Sequence, residues 1–265
     1  MSEQSVLAIA AHPDDIEFVM AGTLMQLHRR GWQVHYFNIA NGCYGSASLT
    51  PLECASVRLQ EAQAAAALLP AKFYRPICDD LHIFYTAELL RQVAAVVRQA
   101  RPQIVLTHAP VDYMEDHQNA ARLAVTAAFC RGMPHFATDP PSESYSDAVA
   151  VYHAQPHGNR TPLGEVVQPT HFVNVAPLID RKRQLLAAHA SQNQWLDASQ
   201  GISAYLETLE QLNREVGHMS GRYELAEGWR PHLHLGFSPA GFDPLAEALV
   251  GDIHVSEPRS ASSLK

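Results

Sequence analysis

Two short polar motifs in the sequence have side chains that could carry out chemistry. The first, HPDD at residues 12–15, directly follows the apolar run VLAIAA at residues 6–11. The second, DYMEDH at residues 112–117, comes just after the largely apolar run PQIVLTHAP at residues 102–110. An imidazole and adjacent carboxylates at the end of a buried strand serve no hydrophobic purpose, but they are suited to metal binding and acid-base catalysis. Both motifs are therefore candidate parts of one active site.

The spacing of the first motif suits a metal ion. His12 and Asp15 are three residues apart, so they can converge across a strand-to-helix turn and form a partial ligand set for zinc. His117 is the best candidate for a third ligand. Such a site leaves one coordination position open for water, and Asp14, which is next to a ligand, could accept the proton of that water. We therefore expect one zinc ion per chain.

A simpler interpretation of the first motif is helix capping. Taken alone, HPDD leaves capping and catalysis equally open, because an aspartate after a strand often caps the helix that follows. Capping explains Asp14 or Asp15. It gives no use to His12 beside Pro13, and it does not explain DYMEDH at the end of another strand.

Alternating strands and helices must position these motifs. Strands are predicted at VLAIAA, WQVHYFNIA and PQIVLTHAP, and helices at residues 21–30, 52–69 and 87–99. This alternation predicts an α/β fold with a Rossmann-like, mostly parallel sheet and helices on both faces. In such sheets ligands bind at the carboxyl ends of the strands, so the two motifs should share one rim. We expect a single domain over residues 1–252 and a disordered tail over residues 253–265.

Composition excludes several classes of partner. The 265-residue chain is 47% hydrophobic, has a net charge of -8 and contains only three lysines, so it lacks the basic stripe that nucleic acid requires. No basic leader opens the sequence, and no apolar run reaches the roughly 18 residues of a membrane span. We expect a cytoplasmic protein without a membrane partner. The four widely separated cysteines are expected to be free thiols.

The two motifs together resemble the LmbE-like or PIG-L family of zinc-dependent deacetylases. AHPDDIEFVMAGTL resembles the first family signature, and DYMEDHQNA resembles the second, which is usually written with HPDH. The segments NGCYGS, RLQEAQAAAALL, CDDL, RPQIVLTH and LLAAHASQ follow the family order over roughly residues 5–195. The resemblance implies His12, Asp15 and His117 as zinc ligands and Asp14 as the general base.

Three further positions have open interpretations. The resemblance implies that Arg58 and Asp80 contact substrate hydroxyls. Arg58 could instead form a surface salt bridge with Glu61, one helical turn away, and Asp80 could be an ordinary solvated loop acid. Asp116 could orient a metal ligand by hydrogen bonding to it without binding the metal itself. It could also merely cap the helix that is expected to begin at His117.

One departure from the family pattern affects catalysis. The family's HPDH has a histidine three residues before the zinc ligand, where it helps to stabilise the tetrahedral oxyanion, but this chain has Met114. A thioether cannot donate a hydrogen bond. We expect the replacement donor in RPHLHLGF, at His232, acting in its own or a neighbouring subunit. Each candidate could also be an ordinary structural or surface histidine. The candidates are His153, His157, His218, His232 and His234.

These patterns favour a zinc-dependent hydrolase that removes an acyl group, most simply acetyl, from the amide nitrogen of an amino sugar or a similar small polar molecule. The substrate is the expected partner, and a homo-oligomer is expected. A zinc-dependent hydratase of an unsaturated dicarboxylate is an alternative that Met114 leaves open. A nucleotide-binding module without catalysis is a second alternative, although no G-x-G-x-x-G follows the first strand. A metal-binding protein without activity is the third.

Overall fold

A computed structural model describes residues 4–192 and 205–256 of the chain. The strands are β1 (Ser5–Ala10), β2 (Gln33–Asn38), β3 (Lys72–Tyr74), β4 (Ile104–Thr107), β5 (Ala150–Ala154), β6 (His171–Asn174), β7 (Ala226–Pro231) and β8 (Ile253–Val255). The α-helices are α1 (Asp15–Val19), α2 (Ala21–Arg29), α3 (Pro51–Leu68), α4 (Ala87–Ala100), α5 (Glu115–Phe129), α6 (Ile179–Ala187), α7 (Tyr205–Ser220) and α8 (Pro244–Ala248).

The strands form one mixed sheet in the order β3-β2-β1-β4-β5-β7-β6-β8. The pairs among β1 to β5 are parallel, whereas β7 pairs antiparallel with β5 and β6, and β8 with β6. The predicted mostly parallel α/β fold is confirmed for the half of the sheet that contains both motifs. Within that half β1 and β4 are neighbours, so their carboxyl ends lie side by side.

The central strand β1 is buried on both faces of the sheet. Val6 and Ala8 pack on one face in a core that includes residues of α1, α2 and α6, and Leu7 and Ile9 pack on the other face against α4 and α5. Alternate residues of a strand point to opposite faces, and helices cover both, so a continuous apolar run is needed. The run VLAIAA therefore fixes the end of β1 rigidly in the middle of the molecule.

The first three residues of the predicted disordered tail form a strand instead. Residues 253–255 form β8, which pairs antiparallel with β6, and the ring of His254 stacks on Phe172 with centroids 6.1 Å apart. The unpaired edge of β6 and this stacking explain why the short segment is ordered. Residues 257–265, which contain the rest of the predicted tail, lie outside the described residues.

Two expectations from composition can be compared with the structure. All four cysteines are free, as predicted. Among the helices of residues 4–192 and 205–256, none is long and apolar enough to cross a membrane.

A buried ion pair fixes α2, the second helix after the first motif. The carboxylate of Glu227 accepts hydrogen bonds from the backbone N–H groups of Gly22 at 2.8 Å and Thr23 at 2.7 Å, in the first turn of α2. Lys182 on α6 lies with its Nζ 2.6 Å from Glu227 Oε1 and also donates to the carbonyl of Phe18 at 2.8 Å. The negative charge thus satisfies the helix amides, and the lysine balances that charge.

We predict that Lys182→Met destabilises the protein by about 3 to 5 kcal/mol, because Glu227 would remain buried without its cation. The measurement is the free energy of unfolding in denaturant. Arg183→Met is the matched control on the same helix. It removes the half-exposed pair between Arg183 Nη1 and Glu210 Oε2 at 2.9 Å, which contributes less than about 1 kcal/mol. Equal losses in the two variants would contradict the role given to Lys182.

Candidate metal centre

The two motifs meet at the carboxyl ends of β1 and β4. HPDD leaves β1 after Ala10, and α1 begins at Asp15, while α5 begins at Glu115 and carries His117 in its first turn. Since β1 and β4 are parallel neighbours, residues 12–15 and residue 117 arrive at the same rim. The sequence-based expectation that the motifs share one rim is confirmed.

Three side chains at this rim converge as a metal ligand set would. Ligand atoms of His12, Asp15 and His117 all lie within 4.8 Å of one another. Nδ1 of His12 is 3.6 Å from Asp15 Oδ2, and Nε2 of His117 is 3.4 Å from Asp15 Oδ1. Two imidazole nitrogens and one carboxylate oxygen form a donor set that fits zinc and leaves an open coordination position.

The outward nitrogen of each histidine is held by a carboxylate. Asp116 Oδ2 lies 3.0 Å from His12 Nε2 and accepts the Leu81 N–H at 2.6 Å, and Asp112 Oδ1 lies 3.0 Å from His117 Nδ1. Such partners fix the tautomer, so that His12 Nδ1 and His117 Nε2 present their lone pairs toward Asp15.

The position of Asp116 decides between its two interpretations. The side chain contacts His12, and no side-chain hydrogen bond caps α5, whose N-cap residue is Met114. The capping interpretation is therefore not supported. The sequence reasoning missed Asp112, whose position five residues before His117 in the same motif was the available signal.

The carboxylates also shift the titration of the histidines. Burial lowers the pKa of His12, but Asp116 and Asp15 outweigh it and raise the pKa to about 9. Burial likewise lowers the pKa of His117, and Asp15 and Asp112 raise it to about 10. The rim therefore has a strong local negative potential, which favours a cation.

His108 lies behind the ligand set. Its ring stacks on His117 with centroids 4.2 Å apart, and its Nε2 accepts the Ala11 N–H at 2.9 Å while lying 3.2 Å from Asp15 Oδ2. His108, Asp112 and His117 form a second group whose ligand atoms are within 4.8 Å of one another. Because both groups contain His117, they are not independent sites.

Asp14 lies beside the ligand set, in a strained backbone conformation. Its φ of 99° and ψ of -24° are in the left-handed region, where residues other than glycine are uncommon. Its Oδ2 accepts a hydrogen bond from Tyr205 Oη at 2.6 Å and is 3.3 Å from Arg58 Nη2. Burial raises the pKa of Asp14, although Arg58 opposes the shift. Tyr205 is 191 residues away in sequence, and no motif around it indicated this role.

Arg58 and Asp80 both lie at the site and are buried. Neither is the exposed surface residue that its simpler interpretation required. Arg58 is 3% exposed and donates to the carbonyl of Pro13, so the proposed surface pair with Glu61 is wrong. Glu61 instead accepts hydrogen bonds from Ser191.

Asp80 is buried and is not a solvated loop acid. Its Oδ1 accepts the Gly42 N–H at 2.7 Å, and its Oδ2 accepts the Tyr44 N–H at 3.0 Å. These bonds hold the loop of NGCYGS against the site. Contact between either Arg58 or Asp80 and a substrate stays a prediction.

A pocket of about 340 Å³ opens over these groups and is called the rim pocket. Its floor contains His12, Asp14, Asp15 and His117, and its walls include aromatic rings, among them those of Tyr44 and Tyr113, with exposures of 48% and 60%. A few converging polar groups within partly aromatic walls are typical of a small-molecule site.

The histidine candidates for an oxyanion donor lie in different places. His157 lines the rim pocket, whereas His232 lines other cavities. His232 continues along β5, where its N–H donates to the Val151 carbonyl at 2.8 Å, and its Nδ1 is 3.0 Å from His153 Nε2. The backbone therefore places His232 outside the rim pocket of its own chain. The expectation that His232 acts in its own subunit is corrected. A contribution of His232 to a neighbouring subunit stays a prediction.

Comparison with known proteins agrees with this geometry. Residues 7–128, which contain both motifs, match the family model described as PIG-L: GlcNAc-PI de-N-acetylase. The matched residues include most of β1, the whole of β4 and all three candidate ligands. The resemblance seen in the sequence is thereby confirmed.

Two relatives of this chain differ in their named activities. Diacetylchitobiose deacetylase of Thermococcus kodakarensis is 29% identical over 245 residues, covering 89% of this chain and 86% of the relative. 4-oxalmesaconate hydratase of Pseudomonas putida is 25% identical over 228 residues, covering 83% of this chain and 85% of the relative. The solved structure of N,N'-diacetylchitobiose deacetylase from Pyrococcus horikoshii in complex with the inhibitor MPG has a TM-score of 0.74 at 23% identity. It covers 92% of this chain and 89% of that one, and the likeness shows a shared fold.

We predict that the purified protein binds about one zinc ion per chain and that His117→Ala abolishes this binding, because two ligands hold zinc far more weakly than three. Elemental analysis after dialysis is the measurement. His218→Ala, which changes an exposed histidine on α7, is the control and should retain the metal. Retention of zinc by His117→Ala would show that the ligand set is wrong.

Proposed function

We propose that this protein is a zinc-dependent N-deacetylase that removes an acetyl group from an amino sugar or a similar small, polar, N-acylated substrate. The proposal is carried by one observation: a buried carboxylate that is not a ligand, that of Asp14, stands beside a three-ligand group on the floor of a pocket. The match of residues 7–128 to the PIG-L family model and the similarity to a diacetylchitobiose deacetylase support it.

His12, Asp15 and His117 would hold the zinc ion, which supplies Lewis acidity toward water and the amide carbonyl when it is bound. The remaining steps depend on Asp14. Its Oδ2 is engaged by Tyr205 and Arg58, which leaves Oδ1 to accept the proton of the attacking water. Burial favours the neutral form of the carboxyl group and raises its pKa, so Asp14 is a stronger base than an exposed aspartate. The same atom then returns the proton to the leaving amine nitrogen.

The charges of the rim pocket favour an uncharged substrate over a dicarboxylate. Among the described residues that line the pocket, Arg58 is the one lysine or arginine, and its guanidinium already contacts Pro13, Asp14 and Gln192. Residues 193–204 contain no lysine or arginine either. Recognition of carboxylates ordinarily uses such cations. A neutral sugar can instead pack on tyrosine rings such as those of Tyr44 and Tyr113.

The hydratase relative makes a direct comparison of substrates the decisive test. The zinc-loaded protein is expected to release acetate from N,N'-diacetylchitobiose or N-acetylglucosamine and to leave an unsaturated dicarboxylate unhydrated. Acetate is measured by a coupled assay, and hydration by loss of ultraviolet absorbance. Hydration without acetate release would establish the alternative.

We predict that Asp14→Asn lowers kcat by about a hundredfold or more while zinc content stays at the parental level, because the amide keeps the shape but cannot accept the proton. Steady-state kinetics and elemental analysis on the same sample make the test. Near-parental kcat would remove Asp14 from the mechanism. Loss of zinc would make it a ligand instead.

We predict that His157→Ala lowers kcat by about a hundredfold with zinc retained, because His157 is the one histidine of the five candidates that lines the rim pocket in the described residues. Desolvation lowers the pKa of His157, and a neutral imidazole still offers one N–H donor. His232→Ala is the comparison variant. A loss of kcat confined to His232→Ala would place the donor on a neighbouring subunit and would contradict the assignment to His157.

A further inference from the structure

We propose that Arg58 is a positioning residue, seated in a cradle formed by Gly42 and Gly45, which holds Asp14 in its left-handed conformation and aims its carboxylate into the rim pocket. This inference rests on the proposed function, in which Asp14 is the base. It differs from the role that the family resemblance implies for Arg58, which is direct contact with substrate hydroxyls.

The contacts of Arg58 are made with the protein. Its side chain is 4% exposed, and Nη2 donates to the carbonyl of Pro13 while lying 3.3 Å from Asp14 Oδ2. Nη1 donates to Gln192 Oε1, and Nε is buried with no hydrogen-bond partner among the described residues. These hydrogen bonds and this ion pair thus join Arg58 to Pro13, Asp14 and Gln192, on the side of the pocket where Asp14 lies.

The backbone at Asp14 needs such a restraint. A φ of 99° is unfavourable for an aspartate and persists only where the surroundings enforce it. Arg58 contacts the two residues joined by the preceding peptide bond: it donates to the Pro13 carbonyl and lies beside the Asp14 carboxylate. Tyr205 holds the same carboxylate oxygen from α7. Together these contacts specify where the carboxylate points.

Two glycines leave room for the guanidinium. A Cβ at Gly42 would lie 2.6 Å from Arg58 Cδ, and a Cβ at Gly45 would lie 2.6 Å from Arg58 Nη1 and 2.8 Å from Gln192 Oε1. A side chain at either position would displace the guanidinium of Arg58, because Cβ atoms do not approach other heavy atoms so closely. Asp80 fixes the loop by accepting the Gly42 N–H. Gly42, Gly45 and Asp80 thus together define the space that the Arg58 side chain occupies.

The first experiment separates positioning from substrate contact. Gly45→Ala and Arg58→Lys are assayed on the zinc-loaded protein with N,N'-diacetylchitobiose. Lysine keeps the charge but cannot reach Pro13, Asp14 and Gln192 at once. We expect kcat to fall on the order of a hundredfold, as for small misplacements of a reacting group, with KM and zinc content unchanged. Gly164→Ala is the control: it strains a backbone with a φ of +85°, but its Cβ meets nothing within 4 Å and it lies outside the rim pocket, so it should keep parental kcat. A rise in KM with kcat retained would overturn the proposal in favour of substrate contact.

The second experiment needs no activity. Arg58→Gln is introduced into the parent and into Asp14→Gly, in which glycine adopts the left-handed conformation without strain, and Tm is measured for the four proteins. We expect Arg58→Gln to lower Tm less in the Asp14→Gly background, because that background lacks both the strained aspartate and the carboxylate that Arg58 contacts. Equal losses of Tm would overturn the proposal. If Arg58→Gln does not fold, Arg58→Lys replaces it in the cycle. A parent that hydrolyses no N-acetyl compound would refute the proposed function, while the cycle would still decide whether Arg58 is coupled energetically to Asp14.

Discussion

The candidate site depends on one largely buried carboxylate, that of Asp15, whose side chain is 14% exposed. Its Oδ2 accepts the backbone N–H of His12 at 2.7 Å, and its two oxygens lie 3.2 and 3.4 Å from nitrogens of His108 and His117. Burial raises the pKa of Asp15, but the two imidazoles outweigh it and hold the pKa well below its ordinary value. An ionised carboxylate that is removed from water requires positive or hydrogen-bonding partners on every side. This requirement explains why residues from β1, β4 and α5 converge at one point.

The sequence allowed the ligand set to be predicted because its members come from two short motifs at the ends of neighbouring strands. His12 and Asp15 are close in sequence, and the alternation of strands and helices predicts where residue 117 must arrive. The partners of Asp14 were not predictable in this way. Tyr205 comes from a helix far along the chain. The sequence alone does not reveal whether the side chain of Arg58 faces solvent, a substrate or the protein. Only packing distinguishes these cases.

The antiparallel half of the sheet shows a second limit of sequence reasoning. The segment HFVN predicts a strand and forms β6, but β8 is three residues long, which is too short for a periodic pattern to identify. The order of β6, β7 and β8 in the sheet is set by pairing between distant parts of the chain. The same limit affected His232, because its position depends on the register of β7 against β5. Histidine-rich composition suggested chemistry in this segment, but the strand direction carries the ring away from the rim of its own chain.

Glu227 and Lys182 have a consequence for how the molecule can be divided. The family match ends at residue 128, yet the amides that begin α2 are satisfied by Glu227, and the charge of Glu227 is balanced by Lys182. Val173, Trp229 and Leu245 complete the apolar core on one side of β1, and β5 covers the open edge of β4. A fragment that ended at residue 128 would expose that edge, uncap α2 and lose 11 of the 28 buried residues of one core. The residues of the candidate site therefore do not form an autonomous folding unit, and we expect a polypeptide truncated at residue 128 to aggregate rather than to fold.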